Sequence, residues 1–241
     1  MLPAQAVMGA LRAVKEPGEI DALTAAQRIA EQAFEEMLGF LRPGLTEREI
    51  AAELTYRMMR LGGEGNSFDP ITITGANTSK PHGVPGGAVV REGDFVTMDF
   101  GTLVNGYHSD MTRTVAIGHA TDEMRKVYDT VLRAQKAGIE LMTTAHTGAD
   151  VHNAAAKVIA DAGYGEYFGH GFGHSVGLEI HEAPSANPRN EAALPAGAVI
   201  TAEPGIYLPG RFGVRIEDMV VIGADAPNDI TKAPKELIIV K

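Results

Sequence analysis

The chain contains no cysteine and no tryptophan, and its 241 residues include only 8 phenylalanines and 6 tyrosines. The absence of cysteine excludes disulfides, thiolate metal sites and a cysteine nucleophile, and a cytoplasmic location fits it. Basic residues are in the minority, since 21 lysines and arginines against 31 aspartates and glutamates give a net charge of −10. This balance argues against nucleic acid or an anionic membrane as the main partner. No apolar run approaches the roughly 18 residues that span a bilayer.

One short pattern occurs twice, 104 residues apart. Residues 93–101 (GDFVTMDFG) and 197–205 (GAVITAEPG) share glycine, valine or isoleucine, threonine, an acid and glycine at matching offsets. Each pattern is typical of an apolar strand that ends in a carboxylate. Gly44 and Gly148 have the same separation, so the repeat extends beyond these nine residues. The sequence therefore predicts two related halves, each of which offers two carboxylates to one site.

Periodicity and capping signals predict the same order of elements in both halves. We predict helices over residues 17–41, 46–61, 121–143 and 147–162, and strands over residues 71–74, 95–100 and 111–117. Strands joined by hairpins rather than by helical crossovers indicate an antiparallel sheet with helices on one side, hence an α+β fold. No linker separates the halves, so we expect one fused domain over residues 1–241.

The dipeptide Asn105-Gly106 lies between two strand-like segments and is a strong hairpin signal. If these two residues form the turn, Asp99 lies opposite Thr112, and Asp110 is its diagonal neighbour on the same face. Diagonal neighbours have Cα atoms about 7–8 Å apart, which allows two carboxylates to converge on one ion.

The second half offers Glu203 and Glu217, which lie opposite each other if a three-residue loop is centred on Gly210. Like charges directly opposite destabilise a ladder, so these acids need a counter-charge. Arg113 and Arg215 could supply part of it, and a divalent cation could supply more. For one acid alone, a solvated strand residue is the more common explanation, but four acids at repeat-related positions favour a metal site.

Three of the eight histidines, His170, His174 and His181, fall within twelve residues of a glycine-rich segment. The glycines argue against a helix, so this is not a helical zinc motif. Histidine is the usual nitrogen ligand and acid or base near neutral pH, so the cluster indicates a site. His82 lies in a loop-like segment, and the sequence is equally compatible with an ordinary loop histidine and with a site residue. We treat the other four as surface residues: His108, His119, His146 and His152.

With Asp99, Asp110, His174, Glu203 and Glu217 assembled, the chain resembles the metallopeptidases of the pita-bread fold. These are the methionine aminopeptidases, aminopeptidase P and prolidase, and the resemblance covers roughly residues 11–241. All five positions that carry the family's metal ligands hold the expected residue types. The resemblance implies a pseudo-twofold antiparallel sheet with helices packed on its outer face.

Within that family, His170, Arg215 and the run EPGIYLPG are similar to aminopeptidase P and prolidase. The branch implies a metal-dependent exopeptidase with two divalent ions that hydrolyses the N-terminal Xaa-Pro bond of peptides or dipeptides. A methionine aminopeptidase is the alternative. A metal-independent amidinohydrolase and a non-catalytic binding module on the same fold are further alternatives.

The resemblance also implies a role for each site residue. Asp110 and Glu217 would bridge the two ions, Asp99 would bind one, and His174 and Glu203 would bind the other. Glu203 would also carry a proton to the leaving amine. The remaining catalytic candidates would contact or orient the substrate: His82, His170, His181 and Arg215. Such an oxygen-rich ligand set suits Mn²⁺ best, with Co²⁺, Zn²⁺, Fe²⁺ or Mg²⁺ as alternatives.

One departure from the family concerns the N-terminus. Xaa-Pro peptidases usually carry a separate N-terminal domain, whereas here we expect only the catalytic domain, with residues 1–12 as a linker remnant. Without that domain, the sequence leaves open whether the chain prefers dipeptides or longer peptides. It also leaves open whether the chain forms a homodimer, because the N-terminal domain usually contributes dimer contacts.

Overall fold

The computed structural model describes residues 4–241 and contains five α-helices. The helices are α1 (Ala4–Ala13), α2 (Pro17–Leu38), α3 (Glu47–Arg60), α4 (Asp122–Ile139) and α5 (Gly148–Asp161). The strands are β1 (Ile71–Thr74), β2 (Phe95–Phe100), β3 (Leu103–Val104), β4 (Tyr107–His108), β5 (Met111–Ile117), β6 (Gly173–Ser175), β7 (Glu182–Ala186), β8 (Val199–Ala202), β9 (Gly205–Leu208), β10 (Phe212–Arg215), β11 (Asp218–Val221), β12 (Asn228–Asp229) and β13 (Ile239–Val240).

The helices begin where their capping residues predict. Thr46 and Glu49 form a reciprocal capping box at the start of α3, and Thr147 and Asp150 form one at the start of α5. Helices α2 and α4 end at residues 38 and 139, a few residues before their predicted ends. Helices α3 and α5 begin 148 − 47 = 101 residues apart. The match between Gly44 and Gly148 therefore does not mark equivalent positions.

Two large apolar clusters lie between the helix pairs and the sheets, and the second also includes Phe95 and Ala116 of the first half. In the first half, α2 and α3 pack on β2 and β5, with Phe34, Leu54 and Phe100 at the centre. In the second half, α4 and α5 pack on β8 to β11, with Val131 and Ile200 among the buried residues. Burial of these apolar side chains stabilises the fold, and the two helix pairs form its outer layer.

The hairpin register predicted for the first half is confirmed. Strand β2 pairs antiparallel with β5, and Asp99 lies opposite Thr112. Asn105 and Gly106 form the turn with φ values of 52° and 76°, a conformation that asparagine and glycine tolerate best. The strand bounds of β1, β2 and β5 also agree with the prediction.

The second hairpin also has the predicted register. Leu208 of β9 pairs with Phe212 of β10, which leaves a three-residue loop centred on Gly210 at a φ of 71°. The ladder continues on the other side of the acids, where Ala202 of β8 pairs with Asp218 of β11. Glu203 and Glu217 lie between these two ladders at opposed positions.

The two halves meet where β5 lies beside β10 and β11. The Glu217 amide donates to the Thr112 carbonyl at 3.1 Å, and the Arg113 guanidinium forms an ion pair with Asp218 at 2.7 Å. Arg113 also donates to the backbone carbonyls of Glu217 and Ala233. The side chain of Arg113 is therefore a buried connection between the halves, behind the face that carries the acids.

The main strands form two sheets, in the orders β1-β2-β5-β13 and β12-β11-β8-β6-β7. The pairing is antiparallel as predicted, except that β13 joins β5 in parallel. Within the predicted linker over residues 1–12, residues 1–3 lie outside the described part of the chain and all of residues 4–12 belong to α1. None of the helices described here has the length and apolar character required to cross a membrane.

Candidate metal and catalytic site

Four acids lie where strands of the two halves end or are interrupted. Asp99 is on β2, Asp110 immediately precedes β5, Glu203 lies between β8 and β9, and Glu217 lies between β10 and β11. Asp99, Asp110 and Glu217 are buried. The hairpin registers place all four on one side of the junction, which explains why acids far apart in sequence meet.

His174 lies among these acids. Its Nε2 atom is 3.6 Å from Asp110 Oδ2 and 3.4 Å from Glu203 Oε1. Its Nδ1 atom lies 3.2 Å from the Ser175 carbonyl, which can only accept, so Nδ1 carries the proton. Nε2 therefore presents a lone pair to two carboxylates. One ligand atom from each of Asp110, His174 and Glu217 lies within 4.8 Å of the others.

Burial and mutual repulsion disfavour the charged forms of these acids. Burial raises the pKa of Asp110 well above its usual value, and the charges of Asp99 and Glu203 raise it further. Burial and the charge of Asp110 do the same to Glu217. Burial also raises the pKa of Glu203 to about 7, against the opposing effect of Arg215. Burial lowers the pKa of His174, which keeps its imidazole neutral.

This donor set fits a divalent cation. Buried polar atoms are normally hydrogen-bonded, yet Asp99 Oδ1 and Asp110 Oδ1 have no hydrogen-bond partner among residues 4–241. Unpaired carboxylate oxygens and an imidazole lone pair that converge on one point would repel one another without a cation between them. Hard and borderline divalent metals prefer such oxygen and nitrogen ligands.

Arg215 forms an ion pair with Asp99 and donates to the Tyr207 hydroxyl at 2.8 Å. Burial alone would lower the pKa of Arg215, but the groups around it, with the Tyr207 hydroxyl and the Asp99 carboxylate foremost, raise that pKa well above its usual value. Its Nε donates to Thr112 at 3.0 Å, and the Thr112 hydroxyl donates to Glu217 at 2.6 Å. The guanidinium therefore connects acids from both halves.

The other histidines lie around the acids in different environments. His170 Nδ1 lies 2.8 Å from the Gly171 carbonyl and Nε2 lies 2.9 Å from the Tyr207 hydroxyl. The carbonyl fixes the proton on Nδ1, so Nε2 accepts from Tyr207. Burial and the charge of Arg215 lower the pKa of His170 to about 4, consistent with this neutral tautomer.

His181 reaches the site because the chain turns back between β6 and β7, and this residue immediately precedes β7. On a regular strand it would point away from His174, but the β6–β7 register shifts between His174 and Ser175. The ring centroids of His174 and His181 are 4.3 Å apart. Burial lowers the pKa of His181, and the neighbouring His174 lowers it further. His82 is exposed, lines the same cavity and lies in the segment after β1.

All nine predicted site residues line one cavity of about 690 Å³. Their roles as metal ligands and catalytic groups stay predictions. Arg113, considered as a counter-charge for the acids, does not line it and pairs with Asp218 instead. Alternation along β5 explains this, because Thr112 faces the acids and its neighbour must face the other way.

The cavity is also lined by residues that the sequence patterns did not predict as site residues. His152, treated as a surface residue, lines the wall and stacks on Phe168 with a centroid distance of 5.2 Å. Tyr207 also lines the cavity, and a signal for it existed: Glu203, Gly205 and Tyr207 share one face of an extended chain. Gly205 makes room for that ring, because a Cβ atom there would lie 2.4 Å from the Tyr207 hydroxyl.

Comparisons with known proteins agree with this geometry. The sequence profile of metallopeptidase family M24 matches residues 21–224. The chain is 42% identical over 239 residues to the uncharacterized peptidase YqhT of Bacillus subtilis, covering 99% of this chain and 68% of that protein. It is 40% identical over 228 residues to a Pyrococcus furiosus protein named Xaa-Pro dipeptidase, covering 95% of this chain and 66% of the relative.

Solved structures agree over nearly the whole chain. A structure described as Xaa-Pro dipeptidase from Bacillus anthracis has a TM-score of 0.96 and 44% identity, covering 99% of this chain and 67% of that one. A structure described as X-Pro aminopeptidase from Thermotoga maritima has a TM-score of 0.96 and 41% identity. The match covers 98% of this chain and 67% of that one. The predicted α+β pita-bread fold is confirmed by this similarity. The chain spans about two thirds of the length of these relatives.

Proposed function

Because the chain belongs to metallopeptidase family M24, we propose that it is a metal-dependent exopeptidase that hydrolyses the bond between an N-terminal residue and proline. The observation that carries the proposal is the convergence of four carboxylates and the His174 Nε2 lone pair in one cavity. The names of the relatives, Xaa-Pro dipeptidase and X-Pro aminopeptidase, support the proline preference.

The proposed metal ligands are Asp99, Asp110, His174, Glu203 and Glu217, which would hold two divalent cations. Mn²⁺ is the first choice because carboxylate oxygens dominate the set, and Co²⁺, Zn²⁺ and Fe²⁺ are alternatives. Such ions polarise a scissile carbonyl and lower the pKa of water toward neutrality.

The protein's own groups would then move protons and orient the substrate. The Glu203 carboxylate lies in the cavity, 3.4 Å from His174 Nε2, where it could take a proton from water and give it to the departing amine. His82 and His181 lie on the cavity rim, where they can hydrogen-bond the substrate carbonyl or the departing nitrogen. The proline nitrogen carries no N–H in the peptide, so it must gain its proton as the bond breaks.

Tyr207 and His170 serve orientation in this scheme. The Tyr207 hydroxyl accepts from Arg215 and donates to His170, so its proton is already engaged in a hydrogen bond within the protein. Arg215 in turn holds Asp99 by an ion pair. His170 therefore supports Asp99 through two intermediates and also contributes its ring to the cavity wall.

The test is hydrolysis of three peptides by purified, Mn²⁺-loaded protein: Ala-Pro, Ala-Pro-Ala and Met-Ala-Ser. We expect cleavage of one or both proline peptides, and their relative rates would decide between dipeptides and longer substrates. Cleavage confined to Met-Ala-Ser would contradict the proline preference and favour a methionine aminopeptidase. No bound metal and no cleavage of any peptide would favour a non-catalytic binding module.

A cytoplasmic location, a single catalytic domain over residues 1–241 and a homodimer stay predictions. Light scattering on the purified chain would measure its assembly directly. None of the proposed steps depends on a second subunit.

A further inference from the structure

The segment after β1, residues 75–87, carries His82 along the rim of the cavity. His82 makes no side-chain hydrogen bond to any of the described residues, so its position depends on the backbone that carries it. The same segment contacts the second half of the molecule. The Pro81 carbonyl accepts from Arg215 at 3.3 Å, and the Thr78 hydroxyl accepts from the Gly213 amide at 2.8 Å.

A single buried carboxylate, that of Glu47, fastens both ends of this segment. Its Oε1 accepts from the Thr74 amide and from Asn77 Nδ2, each at 2.9 Å. Its Oε2 accepts from the Gly86 amide at 2.8 Å. These donors lie before and after His82, so both sides of the loop are tied to the start of α3.

Glu47 does not serve its own helix in the ordinary way. An acid in the first turn often stabilises a helix by capping it or by opposing its dipole. Here Thr46 and Glu49 already form the capping box, and the Glu47 oxygens accept from other segments. Glu47 is only 1% exposed and, among the described residues, forms no ion pair with lysine or arginine.

A buried carboxylate without a cation is costly unless hydrogen bonds satisfy it, and three charge-assisted bonds do so here. Glutamine, which has the same size, could not make the same three hydrogen bonds. The carboxylate presents acceptors on both oxygens, whereas glutamine would place an NH₂ group against either the Gly86 amide or the Thr74 and Asn77 donors.

We propose that Glu47 is a positioning residue that fixes the loop 75–87 and thereby places His82 over the site. The catalytic part of this inference rests on the proposed function, whereas the anchoring part does not. Glu47 never touches the cavity, so it acts on the reaction only through the loop.

The anchor is tested by hydrogen–deuterium exchange of the Thr74 and Gly86 amides, which are the donors to Glu47. We expect Glu47→Gln to raise exchange at both amides and across residues 75–87 by at least about tenfold, because each amide loses or weakens its bond. Glu53→Gln is the matched control, since Glu53 is on the same helix and, within residues 4–241, pairs only with Arg57. Unchanged exchange at both amides would overturn the proposal.

A milder variant allows the anchor to be tested even if Glu47→Gln does not fold. Asn77→Ala removes one of the three donors from a partly exposed position, so it should fold and raise exchange in the same direction by less. If Glu47→Gln does not fold, Asn77→Ala decides the anchor. If the Asn77→Ala protein exchanges the amides of Thr74, Gly86 and residues 75–87 as slowly as the wild type, the proposal is overturned.

The catalytic consequence is tested by a double-mutant cycle with His82→Ala. A misplacement of about 1 Å can lower turnover about 100-fold, so we expect Glu47→Gln to lower kcat by about 10- to 100-fold with little change in KM. In the His82→Ala background the same change should cost less than about twofold, because the two residues act through one position. A full additional loss would contradict action through His82. If the wild-type protein cleaves none of the three peptides, the proposed function fails and the exchange experiment alone decides the anchor.

Discussion

The two halves of the molecule have the same backbone plan and different polar chemistry. In each half a helix pair covers a hairpin that brings acids to the junction. Asp99 of the first half forms an ion pair with Arg215, whereas Glu203 at the matching position accepts, among the described residues, only from the neutral Thr201 hydroxyl and faces His174. The difference teaches that equivalent positions can have different environments: an arginine holds the Asp99 carboxylate, and no lysine or arginine of the described residues pairs with Glu203.

The hairpin registers differ as well. In the first half the acid faces Thr112 and the second acid is diagonal to it, whereas Glu203 and Glu217 occupy opposed positions between two ladders. Asp99 has Arg215 as its counter-charge, whereas opposed glutamates repel each other. Burial and repulsion disfavour the charged form of Asp110 as well as that of Glu217, so both halves share the cost of bringing the acids together. The second half also supplies His174.

The two buried arginines also have different environments. Arg215 faces the acids and connects Asp99 to Tyr207. Arg113 faces the opposite side and joins the halves through Asp218 and backbone carbonyls. One arginine belongs to the site, and the other belongs to the frame that holds it.

The largest expected effect separates Glu203 from Asp99. Glu203→Gln keeps the size of the side chain but cannot carry a proton, so kcat should fall by about 10²- to 10⁴-fold with at least one metal ion retained. Steady-state hydrolysis of Ala-Pro together with metal analysis measures this.

Asp99→Asn is the comparison variant for that experiment. It removes a proposed ligand and leaves Arg215 without its partner, so its loss should be partly recovered at higher Mn²⁺ concentration. Glu203→Gln should not recover in the same titration. Turnover like the wild type in Glu203→Gln would contradict the role given to that carboxylate.

The second prediction concerns the frame. Arg113→Met removes one of two cations paired with the buried Asp218 carboxylate, which keeps Lys235 as a partner. It also leaves the buried carbonyls of Ala233 and Pro234 without this donor, so the free energy of unfolding should fall by about 2–4 kcal/mol. Urea unfolding followed by circular dichroism measures the change.

Arg211→Met is the matched control, because Arg211 forms an exposed ion pair with Glu123. Exposed pairs contribute little, so this variant should unfold like the wild type. Equal midpoints for the two variants would show that the Arg113 network does not hold the halves together.

Much of the fold could be predicted because its signals are local. Asn105 and Gly106 specify a tight turn by their own conformational preferences, and that turn fixes the register that sets Asp99 opposite Thr112. Thr46 and Thr147 specify helix starts for the same reason. The grouping of the acids followed from these local features and from the repeat.

The missed features depend on contacts between distant segments. His152 of α5 stacks on Phe168, which lies after the end of that helix and folds back onto it, and both side chains line the cavity. Glu47 meets its partners because the loop 75–87 returns to the start of α3. Neither contact leaves a periodic pattern in the sequence, so only the arrangement of elements reveals it.

The smallest expected effect compares the starts of α3 and α5. Each helix follows a threonine cap, and the next residue is Glu47 in the first half and Gly148 in the second. Glu47 reaches out to hold a loop, whereas Gly148 lets a loop approach: a Cβ atom there would lie 2.4 Å from the Ser185 carbonyl and 2.7 Å from Asn190 Nδ2. Asn187, between those two residues, lines the cavity.

Gly148→Ala should therefore lower the free energy of unfolding by about 1–3 kcal/mol, because the backbone carbonyl of Ser185 cannot easily move away. Gly18→Ala is the control, since Gly18 is also in the first turn of a helix and a Cβ atom there has no neighbour within 4 Å. That change should raise stability by about 0.4–1 kcal/mol, because alanine has less freedom in the unfolded chain. Thermal unfolding of both variants measures the difference, and a Gly148→Ala protein as stable as Gly18→Ala would show that the second loop does not need the close approach.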